Sequence, residues 1–224
     1  VHRDGGGGLP FTKRTNDQLD LGEPAFSPDG RYVYYSRDQS GGSHFQYNKD
    51  PNKAIYGIER LDRTTGDIES VTGGNGGAIR PTPSPDGHHL VFLRRNRGKT
   101  VMMIRDLRSG QERLLTEMMD HDMSETWAIH GVYPGMSWTP DGRNVVFWAK
   151  GGIHRIAIEN GAVVKIPFSI SDKREIRKSL KHKTQVAPDV FDVKMARDVR
   201  VSPDGSKVAY TALGKIYVKA LPDG

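Results

Sequence analysis

The chain has 224 residues, enough for one well-buried core, with no cysteine and a formal net charge of +6. A hydrophobic share of 35% together with 26 glycines suits a turn-rich β architecture. No run of eighteen apolar residues occurs, so no helical membrane span is encoded, and the lack of cysteine excludes disulfides and thiolate sites.

In chain order, Val1-His2-Arg3-Asp4-Gly5 matches the end of a strand and its turn, and Leu9-Pro10-Phe11-Thr12 a further strand. Then comes the feature that organises everything after it. Ser27-Pro28-Asp29-Gly30 recurs as Ser84-Pro85-Asp86-Gly87, Thr139-Pro140-Asp141-Gly142 and Ser202-Pro203-Asp204-Gly205. Pro presets the second position of a type I turn, Asp suits the third, and Gly accepts the left-handed backbone that closes a bulged hairpin. Each copy predicts a tight turn between antiparallel strands.

After each turn an aliphatic and an aromatic residue alternate: Val33 and Tyr35, Leu90 and Phe92, Val145 and Phe147, Val208 and Tyr210. The residues between them, Tyr34, Val91, Val146 and Ala209, are apolar too, so this strand is expected to be covered on both faces. A second apolar run follows (55–61, 101–107, 153–158 and 216–221), then a second Gly turn and a fourth strand ending in Val71-Thr72 or Leu115-Thr116. The expected fold is therefore all-β, a β-propeller of four-stranded antiparallel blades with about four repeats present. Residues 1–16 read as the end of a preceding blade, 17–72, 73–116 and 117–170 as blades, and 171–224 as an incomplete blade with a basic insertion at 171–197. Both ends fall within a hairpin, which leaves strand edges unpaired, so a part of a larger propeller is expected.

Loop lengths locate the expected working surface. From the glycine of the first turn to that of the second there are 36 residues in the first repeat, against 23, 19 and 19 in the others, which places an insertion at 38–52. Two links between repeats are also long, 116–139 and 169–202. Loops after second and fourth strands emerge at one end of an up-and-down blade, so all the insertions are expected on the face opposite the Pro-Asp-Gly turns. Removal of 38–52 is expected to leave stability nearly intact if that loop is only surface.

Residues on this face define the candidate interaction surface: His44, Phe45, Tyr47, Glu125, Lys173, Arg177 and Lys181. Glu117, Asp120, His121, Asp122 and Glu125 form an acidic cluster, with Asp120, His121 and Asp122 as weak candidates for a hard cation, although the spacing matches no named calcium loop. Trp127, His130, Tyr133 and Trp138 are expected to pack between blades. Between Asp172 and Lys183 six Lys and Arg against two acids leave +4, and Ile176 and Leu180 lie four apart, which predicts a short amphipathic helix. A solvated linker helix, a docking element and a nucleic-acid patch all fit this charge run; no aromatic interleaves with it, which argues against nucleic acid.

Catalytic signatures are missing from the sequence. Gly135-Met136-Ser137-Trp138-Thr139 lacks the closing Gly of a nucleophile elbow and leads into a strand, and His88-His89 places its two rings on opposite faces. No His-x-His pair or phosphate-binding Gly loop occurs, so no cofactor is expected in this chain.

The repeat Phe26-Ser27-Pro28-Asp29-Gly30-Arg31-Tyr32-Val33-Tyr34-Tyr35-Ser36 resembles that of the TolB-like propellers, found also at the front of tricorn-type and prolyl-oligopeptidase-type peptidases. More finely, 125–134 (ETWAIHGVYP), 186–189 (VAPD) and Arg197-Asp198-Val199 resemble the amino-terminal propeller of large bacterial exported amidohydrolase-like proteins. The resemblance implies a periplasmic or secreted module whose partner is an adjacent catalytic domain or another envelope protein. It carries over no catalytic residue, because the barrel histidines of those hydrolases have no counterpart here.

Overall fold

A computed structural model describes residues 5–6, 8, 10–12, 21–40, 49–50, 53–125 and 132–224. All regular structure among them is β, and the chain divides into two compact units, Val1–Ile170 and Ser171–Gly224. The first unit holds three antiparallel four-stranded sheets, each a simple meander. Sheet one comprises β1 (Leu21–Phe26), β2 (Tyr32–Asp38), β3 (Tyr56–Asp62) and β4 (Ile68–Thr72). Sheet two comprises β5 (Ile79–Pro83), β6 (His89–Asn96), β7 (Lys99–Asp106) and β8 (Glu112–Thr116). Sheet three comprises β9 (Ser137–Trp138), β10 (Asn144–Ala149), β11 (Gly152–Ala157) and β12 (Val163–Ile166). The second unit is one three-stranded sheet of β13 (Arg197–Val201), β14 (Lys207–Ala212) and β15 (Lys215–Ala220).

The turn motif builds the same hydrogen-bond set each time. In the first copy Gly30 N–H donates to Ser27 C=O at 2.9 Å, the Ser27 hydroxyl donates to Asp29 Oδ1 at 2.5 Å, and Tyr32 N–H donates to Ser27 Oγ at 2.8 Å. Ser84, Thr139 and Ser202 repeat the pattern with Asp86, Asp141 and Asp204. The closing glycines have φ between 67° and 72°, a region that costs other residues about 1 kcal/mol or more. Ser or Thr at the first position is thus as much a part of the turn as Pro-Asp-Gly.

Both faces of the second strands are used for packing, as their double apolar pattern requires. Leu90 and Phe92 meet Tyr34 and Ile58 of sheet one, while Val91 and Leu93 join Val145, Phe147 and Ile156 of sheet three. Trp138 packs against this second cluster and donates Nε1–H to Thr82 C=O at 2.8 Å, so one indole ties sheet three to sheet two. Burial of these side chains at about 25 cal/mol per Å² is the main adhesion between the sheets.

Two expectations need correction. Of the strand expected at 9–12, residues 10–12 are described and form a bend, with Phe11 set 5.7 Å from the Arg63 guanidinium; Pro10 has no N–H to give to a ladder. The helix expected between Asp172 and Lys183 does not form: 171–196 is irregular, with Ile176 92% and Leu180 101% exposed. A short helix needs its apolar face buried, and these two residues bury nothing.

Candidate functional site

The Pro-Asp-Gly carboxylates are structural. Hydrogen bonds from the Ser27 hydroxyl and the Arg31 N–H hold Asp29 below the usual carboxylate range, and Ser202 and Ser206 bring Asp204 down to about 2. A groove of about 370 Å³ also opens at this end, between sheets one and two, lined by Tyr32, Tyr34, Arg60, His88 and Arg108 among others. Its aspartates, Asp29 and Asp86, already serve the turns.

At the opposite end of the first unit the long connections are pinned by buried charge. Asp38, the last residue of β2, pairs with Lys49, and the two side chains are 0% and 5% exposed. Lys49 N–H then donates to Glu125 C=O at 3.2 Å, tying the first insertion to the link that follows β8. In that link Asp122 sits under Arg95 of β6, both side chains 2% exposed. Arg95 Nε and NH2 reach the two carboxylate oxygens at 3.0 and 2.9 Å, Thr100 Oγ1 donates to Oδ2 at 2.6 Å, and Ser124 N–H donates to Oδ1 at 2.9 Å. Burial works against ionisation of Asp122, but the bonds from Arg95, Ser124 and Thr100 outweigh it and keep the carboxyl below its ordinary range. Glu125 completes the knot, accepting from Arg95 NH2 at 2.8 Å and lying 2.5 Å from His121 Nε2. Gly76, in the link between sheets one and two, presses on the same strand end: a Cβ there would stand 1.9 Å from Arg95 C=O.

This geometry places the acidic cluster. Asp120 turns away from Asp122 to the β10–β11 turn, taking Lys150 N–H at 2.8 Å and Lys150 Nζ at 3.1 Å, while His121 faces Glu125. The three candidates for a cation, Asp120, His121 and Asp122, therefore point to separate partners, and no group of three or more His, Asp or Glu with metal-holding geometry occurs among the described residues. His44, Phe45, Tyr47, Trp127 and His130 lie outside the described residues. Asp38 and Lys49 make the ends of the 38–52 insertion part of the packed structure, so that insertion is not a loop that can be removed whole without cost. Lys173, Arg177 and Lys181 are exposed in the second unit, where Arg174 pairs with Asp172.

Next to the knot lies a groove of about 360 Å³ that the sequence did not reveal. Arg80, Asp120, His121, Met123, Val132, Tyr133, Pro134 and Trp148 line it. Arg80 occupies a bulge in β5 with φ of 58°, and Glu23 and Asp198, also four residues before a turn motif, share this left-handed backbone. The bulge sends Arg80 across the first unit: its N–H donates to Glu23 Oε2 at 2.7 Å, its Nε lies 3.2 Å from Glu23 Oε1, and Nε also donates to Tyr133 C=O. Tyr133, whose phenol burial pushes up, donates to Trp148 C=O at 3.1 Å and accepts from Asp120 N–H at 3.0 Å.

No family model matches the chain, and no curated protein matches it. Solved structures do. Over 99% of this chain and 64% of the other, it is similar to a gluconolactonase from Xanthomonas campestris, with 14% identity and a TM-score of 0.51. The fold is a β-propeller. TolB from Acinetobacter baumannii matches 92% of the chain at 19% identity and a TM-score of 0.48, and the β-propeller domain of the trilobed protease from Pyrococcus furiosus matches 91% at 15% and 0.43. The chain spans 42% of the TolB structure and 57% of the protease domain. The sheets are thus propeller blades, whose connections after the second and fourth strands carry the ion-pair knot and the groove beside it. Among the described residues no helix is long and apolar enough to cross a membrane.

Proposed function

We propose that this propeller is a non-catalytic module of a larger exported hydrolase of the amidohydrolase-like kind, and that it gates substrate or docks a neighbouring domain through the face carrying the long connections. The observation that carries the reading is the buried knot of Asp38, Lys49, Arg95, Asp122 and Glu125. Solvent-exposed loops have no need of such pairs, and breaking a buried one costs several kcal/mol, so the described residues of these connections are anchored to the blades. Loops anchored on a packed scaffold are where recognition residues are commonly presented. The periplasm or the exterior is the compartment this reading requires.

Photo-crosslinking in the native host tests it. A benzoyl-phenylalanine replaces Glu117 on the long-loop face in one variant and Arg108 on the turn face in another. Adducts with a hydrolase domain, in the same polypeptide or a partner, are expected from position 117 and not from 108. Adducts dominated by position 108 overturn the choice of face, and adducts from 117 only to a non-enzymatic envelope protein replace the hydrolase reading with an interaction module of the TolB kind.

A further inference from the structure

We propose that the groove between the 117–125 link and the third blade binds the carboxy-terminal end of a peptide whose last side chain is apolar. This rests on the reading that the long-loop face is the working surface. Four features of the groove argue for such a ligand. Its volume of about 360 Å³ falls in the range of small-ligand sites and suits a ligand of two or three residues. Its wall is apolar, with Trp148 and Met123 both exposed beside Val132 and Pro134.

Third, two of the nitrogen donors at the groove have no hydrogen-bond partner among the described residues. Asp120 is matched by Lys150, and His121 by Glu125. Arg80 engages Glu23 and the Tyr133 carbonyl through Nε, and neither terminal nitrogen of its guanidinium hydrogen-bonds to another described residue. Two parallel N–H donors on a held guanidinium fit one carboxylate. Glu23, only 8% exposed at its side chain, faces Arg80 Nε through Oε1 and accepts from Arg80 N–H and Ser36 Oγ through Oε2, and it hydrogen-bonds neither terminal nitrogen. Fourth, the position of the third blade that corresponds to Glu23 and Arg80, four residues before Thr139, is Gly135, which has no side chain to offer a carboxylate. A ligand carboxylate on Arg80, an apolar side chain on Trp148 and Met123, and a ligand amide N–H on Asp120 make a three-point fit.

Calorimetric titration with acetyl-Ala-Ala-Leu as the free acid and as the carboxamide tests the proposal on the unaltered chain. The acid is expected to bind at least tenfold more tightly than the amide. Arg80→Gln is expected to abolish that difference, and Trp148→Ala, which leaves every Arg80 contact in place, to weaken acid and amide alike. Equal affinity of acid and amide, no binding of either at millimolar peptide, or tighter binding of acetyl-Ala-Ala-Lys amide overturns the proposal. If Arg80→Gln fails to fold, the acid and amide comparison on the unaltered chain still decides. Loss of the carboxylate preference with crosslinks intact at position 117 removes this site alone; peptide binding with crosslinks only at 108 removes the functional reading and leaves the site.

Discussion

Residues 117–125 and 172–183 are both charge-rich connections between strands, the first acidic and the second basic, and each contains apolar residues that could anchor it. In the first, Asp122 is buried under Arg95, Asp120 meets Lys150 and Glu125 meets Arg95 and His121. In the second, the side chains stay in solvent and the irregular backbone carries Ile176 and Leu180 fully exposed. Charge density by itself did not order either segment. What differs is whether an opposite charge waits on a strand end, already part of a packed blade, where desolvation strengthens the attraction.

The sharpest way to break this contrast is to remove one partner of the buried pair. Arg95→Met leaves Asp122 as an uncompensated buried carboxylate and is expected to cost roughly 3–5 kcal/mol in urea unfolding. The double variant Arg95→Met, Asp122→Leu is expected to be less destabilised than the single; equal or greater loss in the double means the pair is not the organising contact. Next in size is Gly76→Ala, where a Cβ would strike Arg95 C=O and φ is 81°, with an expected loss of about 1–3 kcal/mol and a lower melting temperature. Gly66→Ala, left-handed but in open space, should cost less and isolates the clash.

A third expectation concerns acid. Asp122, Glu125 and Glu112 are all held below their ordinary pKa in the folded chain, burial opposing and hydrogen bonds from neighbouring side chains and backbone prevailing. Such groups stabilise the fold above the unfolded-state pKa of about 4, and their contribution is lost as pH falls through the lower folded values. Urea midpoints should therefore decline below about pH 4, and the decline should shrink in Asp122→Asn; an unchanged acid slope in that variant would contradict the assignment. The smallest effect is expected from Lys173→Gln, Arg177→Gln and Lys181→Gln combined, within about 0.5 kcal/mol by the same assay. A larger shift would show that the basic segment packs against something.

Much of the fold was legible because its signals are local. The Pro-Asp-Gly spacing, the double apolar second strands and the second Gly turn located the strands of the blades, since turn and alternation are set by residues a few positions apart. The hydroxyl at the head of the motif went unnoticed in that reading, although Ser or Thr in all four copies was a visible sign of the bond it makes to Asp. The candidate site was legible only as a region. Asp122 stood in an acidic cluster read as a weak cation site, and its actual partner Arg95 lies 27 positions away. Ile176 and Leu180 showed the opposite failure: helical spacing is a local pattern, and it yields a helix only if another surface covers it.

The sequence alone thus determined the repeating strand and turn plan and the end of the blade at which the long connections emerge, because backbone conformation at Pro, Asp and Gly and the alternation of side chains are properties of neighbouring residues. Only the tertiary structure decided which charges are buried, that Arg80 crosses from a bulge in the second blade to Glu23 and Tyr133, and that a groove opens beside Trp148. Those outcomes depend on desolvation and on contacts between residues tens of positions apart, and they exist only once the blades have packed.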